Sequence, residues 1–118
     1  MSTPVEAMLF HIAEPEAWSP ELLFYTPATF EREGFVHLST RKQVLGTAQK
    51  YYAGRENLLM LAIDPDVLLS PVVYENLLGG EELFPHYYAA IPQAAICSVA
   101  PMTLQCDGSF LCDLLSLK

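Results

Sequence analysis

The sequence predicts an α+β domain, in which a mixed or antiparallel β-sheet packs with one main helix, and three observations point there. The stretch "NLLMLAIDP" at 57–65 holds a continuous apolar run bounded by polar residues and a proline, too short for a free-standing helix and typical of a strand covered on both faces. "TRKQVLGTAQKYYAG" at 40–54 carries apolar residues at helical spacing. The other apolar segments are separated by turns rather than by regular crossover helices, which argues against a βαβ repeat.

Each element follows in turn. "AMLFHIA" at 7–13 reads as a first strand, ended by "EPEAW", where Pro15 suits a first helical turn whose amide has no partner anyway. Residues 19–34 are irregular, with one helical turn over 28–33 closed by Gly34, a residue suited to a left-handed helix end. A strand over 35–38 runs into the main helix. There Thr40 is placed to cap, Gln43 stands three residues on as in a capping box, and Gly54 ends the helix. Val44, Leu45, Ala48, Tyr51 and Tyr52 form its expected buried face. The 57–65 strand takes the centre of the sheet. Beyond it, "VVYE" is a further strand and "LLGGEELFPHYY" a glycine-opened loop whose strand starts near Tyr87, with Pro85 holding the turn. "QAAICSVAPM" is a later strand, and "DGSF" marks a last turn.

The totals set bounds on function. A chain of 118 residues, 52% hydrophobic and 17% charged, is a single domain over 1–118 that can fold without staples. Fourteen acidic against six basic residues give a net charge of −8, so the summed field repels phosphate backbones and anionic lipid, and no nucleic-acid partner is expected. "MSTPVEAM" has no basic leader pattern and no apolar run approaches a membrane span, which leads to the expectation of a cytoplasmic protein with no membrane partner. Cys97, Cys106 and Cys112 form no CxxC pair, so they read as small buried hydrophobes or inert thiols.

Chemistry gathers around the histidines. In a strand, alternate side chains share a face, so in "EGFVHLST" His37 stands beside Phe35 and Ser39 while Val36 and Leu38 point the other way. Two readings follow: an imidazole and a hydroxyl that meet a ligand, or a core histidine bonded to a carbonyl with Ser39 or Thr40 capping the next helix. His11 repeats the pattern in "LFHIA", and His86 lies in "FPHYY". None of the three histidines has HxH or HxxxH spacing, and no metal is expected. Glu75, Glu81 and Glu82 are the acids nearest these elements along the chain; Tyr51, Tyr52, Tyr87 and Tyr88 are aromatics that line a wall or core, any of which can stack on a planar ring.

These motifs together resemble a known family. "FHI", the following tryptophan, "GFVHLST" leading into "QVLGTAQKYYAG", "LLMLAID", "YE" and "GEELFPHYY" are similar, in order and spacing, to the small bacterial domain of unknown function 952 family over about residues 8–110. That family in turn resembles ADP-ribosyltransferases, a superfamily with a split β-sheet around a cleft for NAD, and its nearest pattern is that of the RNA 2′-phosphotransferases. The resemblance implies that His11 and His37, with Ser39, His86 and Tyr87 nearby, contact an NAD-like nucleotide substrate. It also implies that Glu75 or Glu82 is the carboxylate facing the cationic ribose. Two departures stand out: no Gly-Thr follows "FHI", and the phosphate-binding arginines have no clear counterparts. Two functions are therefore expected in competition: an ADP-ribosyl-transferring or NAD-cleaving enzyme, and a nucleotide or small-metabolite binding module that kept the cleft and lost the chemistry.

Overall fold

The computed structural model describes residues 7–116. Strand β1 (Leu9–Ala13) is followed by a 3₁₀ turn at Pro15–Ala17, strand β2 (Phe24–Tyr25), the single helical turn α1 (Phe30–Glu33) and strand β3 (Val36–His37). Helix α2 (Val44–Tyr51), β4 (Leu59–Ile63), a 3₁₀ turn at Pro65–Val67, β5 (Val73–Glu75), β6 (Phe84–Tyr87) and β7 (Ile91–Pro92) come next. After the 3₁₀ turn Gln93–Ala95, β8 (Ile96–Pro101), β9 (Thr103–Leu104) and β10 (Phe110–Leu111) complete the strands, and a 3₁₀ turn spans Asp113–Ser116. The α+β expectation holds, and every strand pair among the described residues is antiparallel.

Hydrophobic burial explains why β4 is central. In the first sheet, of order β1-β4-β8, Met60, Leu61 and Ile63 expose none of their surface. Each such side chain contributes about 1.5–3 kcal/mol when removed from water, more than any strand propensity. Alternation along β1 and β4 then divides the core. Leu9, Ala13, Leu61 and Ile63 pack with Tyr25, Val36, Leu38, Tyr87 and Ile91 on one face. Phe10, Ile12, Met60 and Ala62 pack with Val44 and Ala48 of α2, and with Met102 and Phe110, on the other.

The second sheet has the order β3-β6-β5, and two ribbons, β2-β7 and β9-β10, stand beside the sheets. The two sheets are joined where Phe10 of β1 and Ser39 exchange backbone hydrogen bonds, both 2.8 Å long. Ser39 stands two residues after His37, so the segment that leaves β3 pairs with β1 before entering α2.

Several expectations need correction. Helix α2 is shorter than the 40–54 pattern, and only half of the capping box forms: the Gln43 side chain accepts from the Thr40 amide at 3.1 Å, while the Thr40 carbonyl accepts the Val44 amide at 3.1 Å. Leu45 and Tyr51 face solvent, so the buried stripe narrows to Val44 and Ala48 with Tyr52 half-buried. Strand β6 starts at Phe84 rather than near Tyr87, and Pro85 lies inside it instead of in a turn. A central strand tolerates this proline because β3 is only two residues long, and the Pro85 carbonyl still accepts the Leu38 amide at 2.9 Å. Of the cysteines only Cys112 is buried, and desolvation, partial at the exposed Cys97, pushes both of these thiols up, away from the reactive thiolate.

Gly34 and Gly46 test this local reading with opposite signs. Gly34 closes α1 at φ +82°, whereas Gly46 sits in α2 where an added Cβ meets nothing within 4 Å. Gly34→Ala should lower unfolding free energy by about 1–2 kcal/mol through left-handed strain, and Gly46→Ala should raise it by about 0.5–1 kcal/mol through helix propensity. Urea titration of the two variants reads both shifts, and equal signs would refute the assignment of either backbone role.

Candidate functional site

His11 is held from both ends. Its Nδ1 lies 2.7 Å from the backbone carbonyl of His37, and because a carbonyl only accepts, Nδ1 carries the proton and donates. Nε2 is then the acceptor, and the Tyr25 hydroxyl donates to it at 2.8 Å. Burial lowers the His11 pKa from its ordinary 6.5 to about 4, against the partial support of the His37 carbonyl, so the ring is neutral at physiological pH. Burial likewise raises the Tyr25 phenol above its ordinary value, keeping the proton that the bond requires. His11 thus ties β1, β2 and β3 together, and both of its nitrogens are engaged within the protein.

His11, His37 and Ser39 do converge, as their pattern suggested. With Phe10, Ile12, Thr47 and Tyr52 they line a cavity of about 30 Å³, space for a water molecule. Ser39 is buried and donates through Oγ to the Thr47 hydroxyl at 3.2 Å. A second cavity of about 80 Å³ shares Ile12 and Tyr52 with the first and is bounded further by Glu14, Tyr25, Pro27 and Thr29. Neither wall includes a lysine or arginine.

A more chemically equipped face lies on the other side of His37. Register places His37 opposite His86 across the β3–β6 ladder, with ring centroids 5.3 Å apart and planes at 81°. Phe35 stacks on His86 at 4.3 Å and meets His37 edge-on at 4.7 Å. Each imidazole has its own carboxylate: Glu33 Oε1 is 3.0 Å from His37 Nε2, and Glu75 Oε2 is 2.9 Å from His86 Nδ1. The Tyr88 hydroxyl also donates to Glu75 Oε2. That bond first, and His86 second, hold the Glu75 carboxyl below the usual carboxylate range. Glu75 is therefore ionised and fixed at the rim of the face.

The remaining expected residues lie elsewhere. Glu82 is exposed in the loop before β6, where the Gln43 amide donates to it at 3.1 Å, and Glu81 is exposed beside it. Tyr87 is 1% exposed within the core, and its hydroxyl accepts from the amides of Leu69 and Ser70. The resemblance implies a place for Tyr87 beside the ligand, whereas the structure puts its ring in the core. With the strand beginning at Phe84, alternation sends His86 and Tyr88 to one side and Tyr87 to the other. The sequence reading did not single out Glu33 or Tyr25. The turn closed by Gly34, four residues from Glu33 to His37, was the available signal for the first; Tyr25 offered none.

Among the described residues, no group of three or more His, Cys, Asp or Glu side chains could hold a metal ion, and no helix is long and apolar enough to cross a membrane.

Fold and site together define a small antiparallel α+β domain with a histidine-carboxylate face on its second sheet. The family model described as "Protein of unknown function (DUF952)" matches residues 12–99, and the chain belongs to that family. Among solved structures, it is similar to the crystal structure of protein CC0527 from Caulobacter crescentus, at 28% identity and a TM-score of 0.80, covering 93% of this chain and 99% of that one. The crystal structure of a double mutant of CC0527 gives 27% identity and the same TM-score of 0.80. Its solution NMR structure gives 27% identity and a TM-score of 0.73, covering 87% of this chain and 90% of that one. No curated protein matches the chain.

The buried clip has a pH signature. Since His11 has a folded pKa of about 4 against 6.5 unfolded, the unfolded chain binds the extra proton between those values. The stability it contributes is fully present above pH 6.5 and is lost as pH falls towards 4, about 3 kcal/mol in all. Urea titrations across that range should show His11→Gln with a shallower acid slope than the parent; identical slopes would mean that His11 is not buried and neutral.

Proposed function

We propose that the protein is a small-molecule enzyme of the ribosyl-transferring kind, one that cleaves the bond between a ribose and a departing ring nitrogen as in NAD. The observation that supports this reading is Glu75: an ionised carboxylate, held in place by Tyr88 and His86, on the same face as the exposed His37. Its chemistry suits a dissociative reaction, in which the glycosidic bond loosens and positive charge grows on the ribose. A fixed carboxylate stabilises that charge more as it develops than in the ground state. Glu82, solvated in its loop, has no such orientation, and Glu75 is the residue we assign.

Cavity size favours a second reading. Pockets for drug-sized ligands span about 300–1,000 Å³, whereas the two cavities here are about 30 and 80 Å³ and have no cationic wall for a diphosphate. A binding module for a metabolite of only a few heavy atoms fits those dimensions without any turnover.

One experiment separates the two. The protein is incubated with millimolar NAD or nicotinamide riboside, free nicotinamide is measured by chromatography, and melting temperature is followed in parallel. The enzyme reading expects nicotinamide release, with Glu75→Gln lowering kcat on the order of 10²-fold while thermal stabilisation by substrate persists. Stabilisation without release supports the binding module, and neither stabilisation nor release removes the ribosyl reading.

A further inference from the structure

His37 and His86 are presented differently by their carboxylates. Gly34, at φ +82°, ends α1 so that the Glu33 side chain turns back onto the ring four residues later. A carboxylate has no proton to give, so His37 donates through Nε2–H, and in the neutral ring its Nδ1 keeps a lone pair. By the same argument His86 donates through Nδ1–H to Glu75, and its Nε2 keeps the lone pair. Among the described residues, neither lone-pair nitrogen has a hydrogen-bond partner. The two imidazoles differ in access. The His37 side chain is 53% exposed, against 7% for His86, which is confined by its stack on Phe35.

We propose that His37 is the general base of this face, its Nδ1 taking the proton of an attacking hydroxyl while Glu33 holds the ring in the Nε2–H form. The assignment rests on the ribosyl-transfer reading and names the class of acceptor, an O–H group of water or an alcohol. As the acceptor O–H bond breaks, its proton passes to His37 Nδ1 and the oxygen forms a bond to the ribose C1′. The C1′–N bond breaks with its electron pair leaving on the departing ring nitrogen, so that cationic nicotinamide departs neutral. Glu33 faces the imidazolium that results, and the proton is then lost to solvent. His86 is the positioning residue: largely buried against Phe35, it fixes Glu75 and stands opposite His37. The charged or titratable groups facing His37 are Glu33 from α1, His86 from β6 and His11 from β1, with Glu75 and Tyr88 beyond His86.

Two measurements test this. Ring ¹⁵N NMR of the whole chain reads the tautomers without any substrate. Nε2–H is expected for His37 and Nδ1–H for His86, with Glu33→Ala mixing the tautomers of His37 alone; an Nδ1–H form of His37 overturns the proposal. In turnover of nicotinamide riboside, His37→Ala should lower kcat by about 10²–10⁴-fold with KM little changed, and added imidazole should restore part of the rate, which no structural role would produce. With methanol present, a methyl riboside identifies an alcohol-accepting site and ribose alone identifies water; both support an O–H acceptor. Parent-like kcat in His37→Ala removes His37 as the base and leaves Glu75 and the ribosyl reading intact. Absence of nicotinamide release from the parent protein removes that reading and this assignment together.

Discussion

The structure depends on one polar contact inside an apolar core, the double hydrogen bond of His11. Without it the hydrogen bonding between β3 and β1 would reduce to the short bridge between Phe10 and Ser39. The packing of Val36 and Leu38 against Leu9 and Ala13 would remain, but apolar contact is non-directional and sets register poorly. An imidazole suits this place because in its neutral form it donates from one nitrogen and accepts at the other, so it can satisfy a carbonyl and a hydroxyl at once. Leaving either group unpaired at that depth costs about 1–3 kcal/mol, enough to make the residue structural whatever else the cleft does.

The three histidines occupy three environments within a few ångströms of strand. His11 is buried, neutral and bonded to protein at both nitrogens. His86 is buried but bonded at only one, and His37 is exposed and likewise bonded at only one. Proximity is enforced by register: Val36 and Leu38 anchor β3 in the core, so His37 must face outward, and its carbonyl, in the backbone, remains available to His11. One residue therefore serves the fold through its main chain and the face through its side chain.

Much of this was legible in the sequence. The apolar run at 57–65, Gly34 as a helix end and the alternation of "EGFVHLST" rest on short-range periodicity and backbone preference, and they hold in the structure. Glu75 was visible as a strand-end carboxylate. What was not legible was long-range: Tyr25 meeting His11 over 14 positions, and the start of β6, where Pro85 argued for a turn and the short partner strand β3 overrode it. Tyr88, which alternation puts on the His86 face, is the tyrosine that reaches Glu75, while Tyr87 lies in the core. The half-buried face of α2 failed for a related reason, because helical spacing marks a stripe but only the packed sheet decides how wide it is.

The joint between the two sheets is made of uncharged groups: a neutral imidazole, a phenol and backbone amides and carbonyls. Dissolved ions screen charge but act little on buried dipoles. Raising the ionic strength therefore relaxes the mutual repulsion of an acidic surface with net charge −8 while leaving this joint untouched. Ionic strength therefore acts on this chain through its surface charge and not through the contact that joins its sheets.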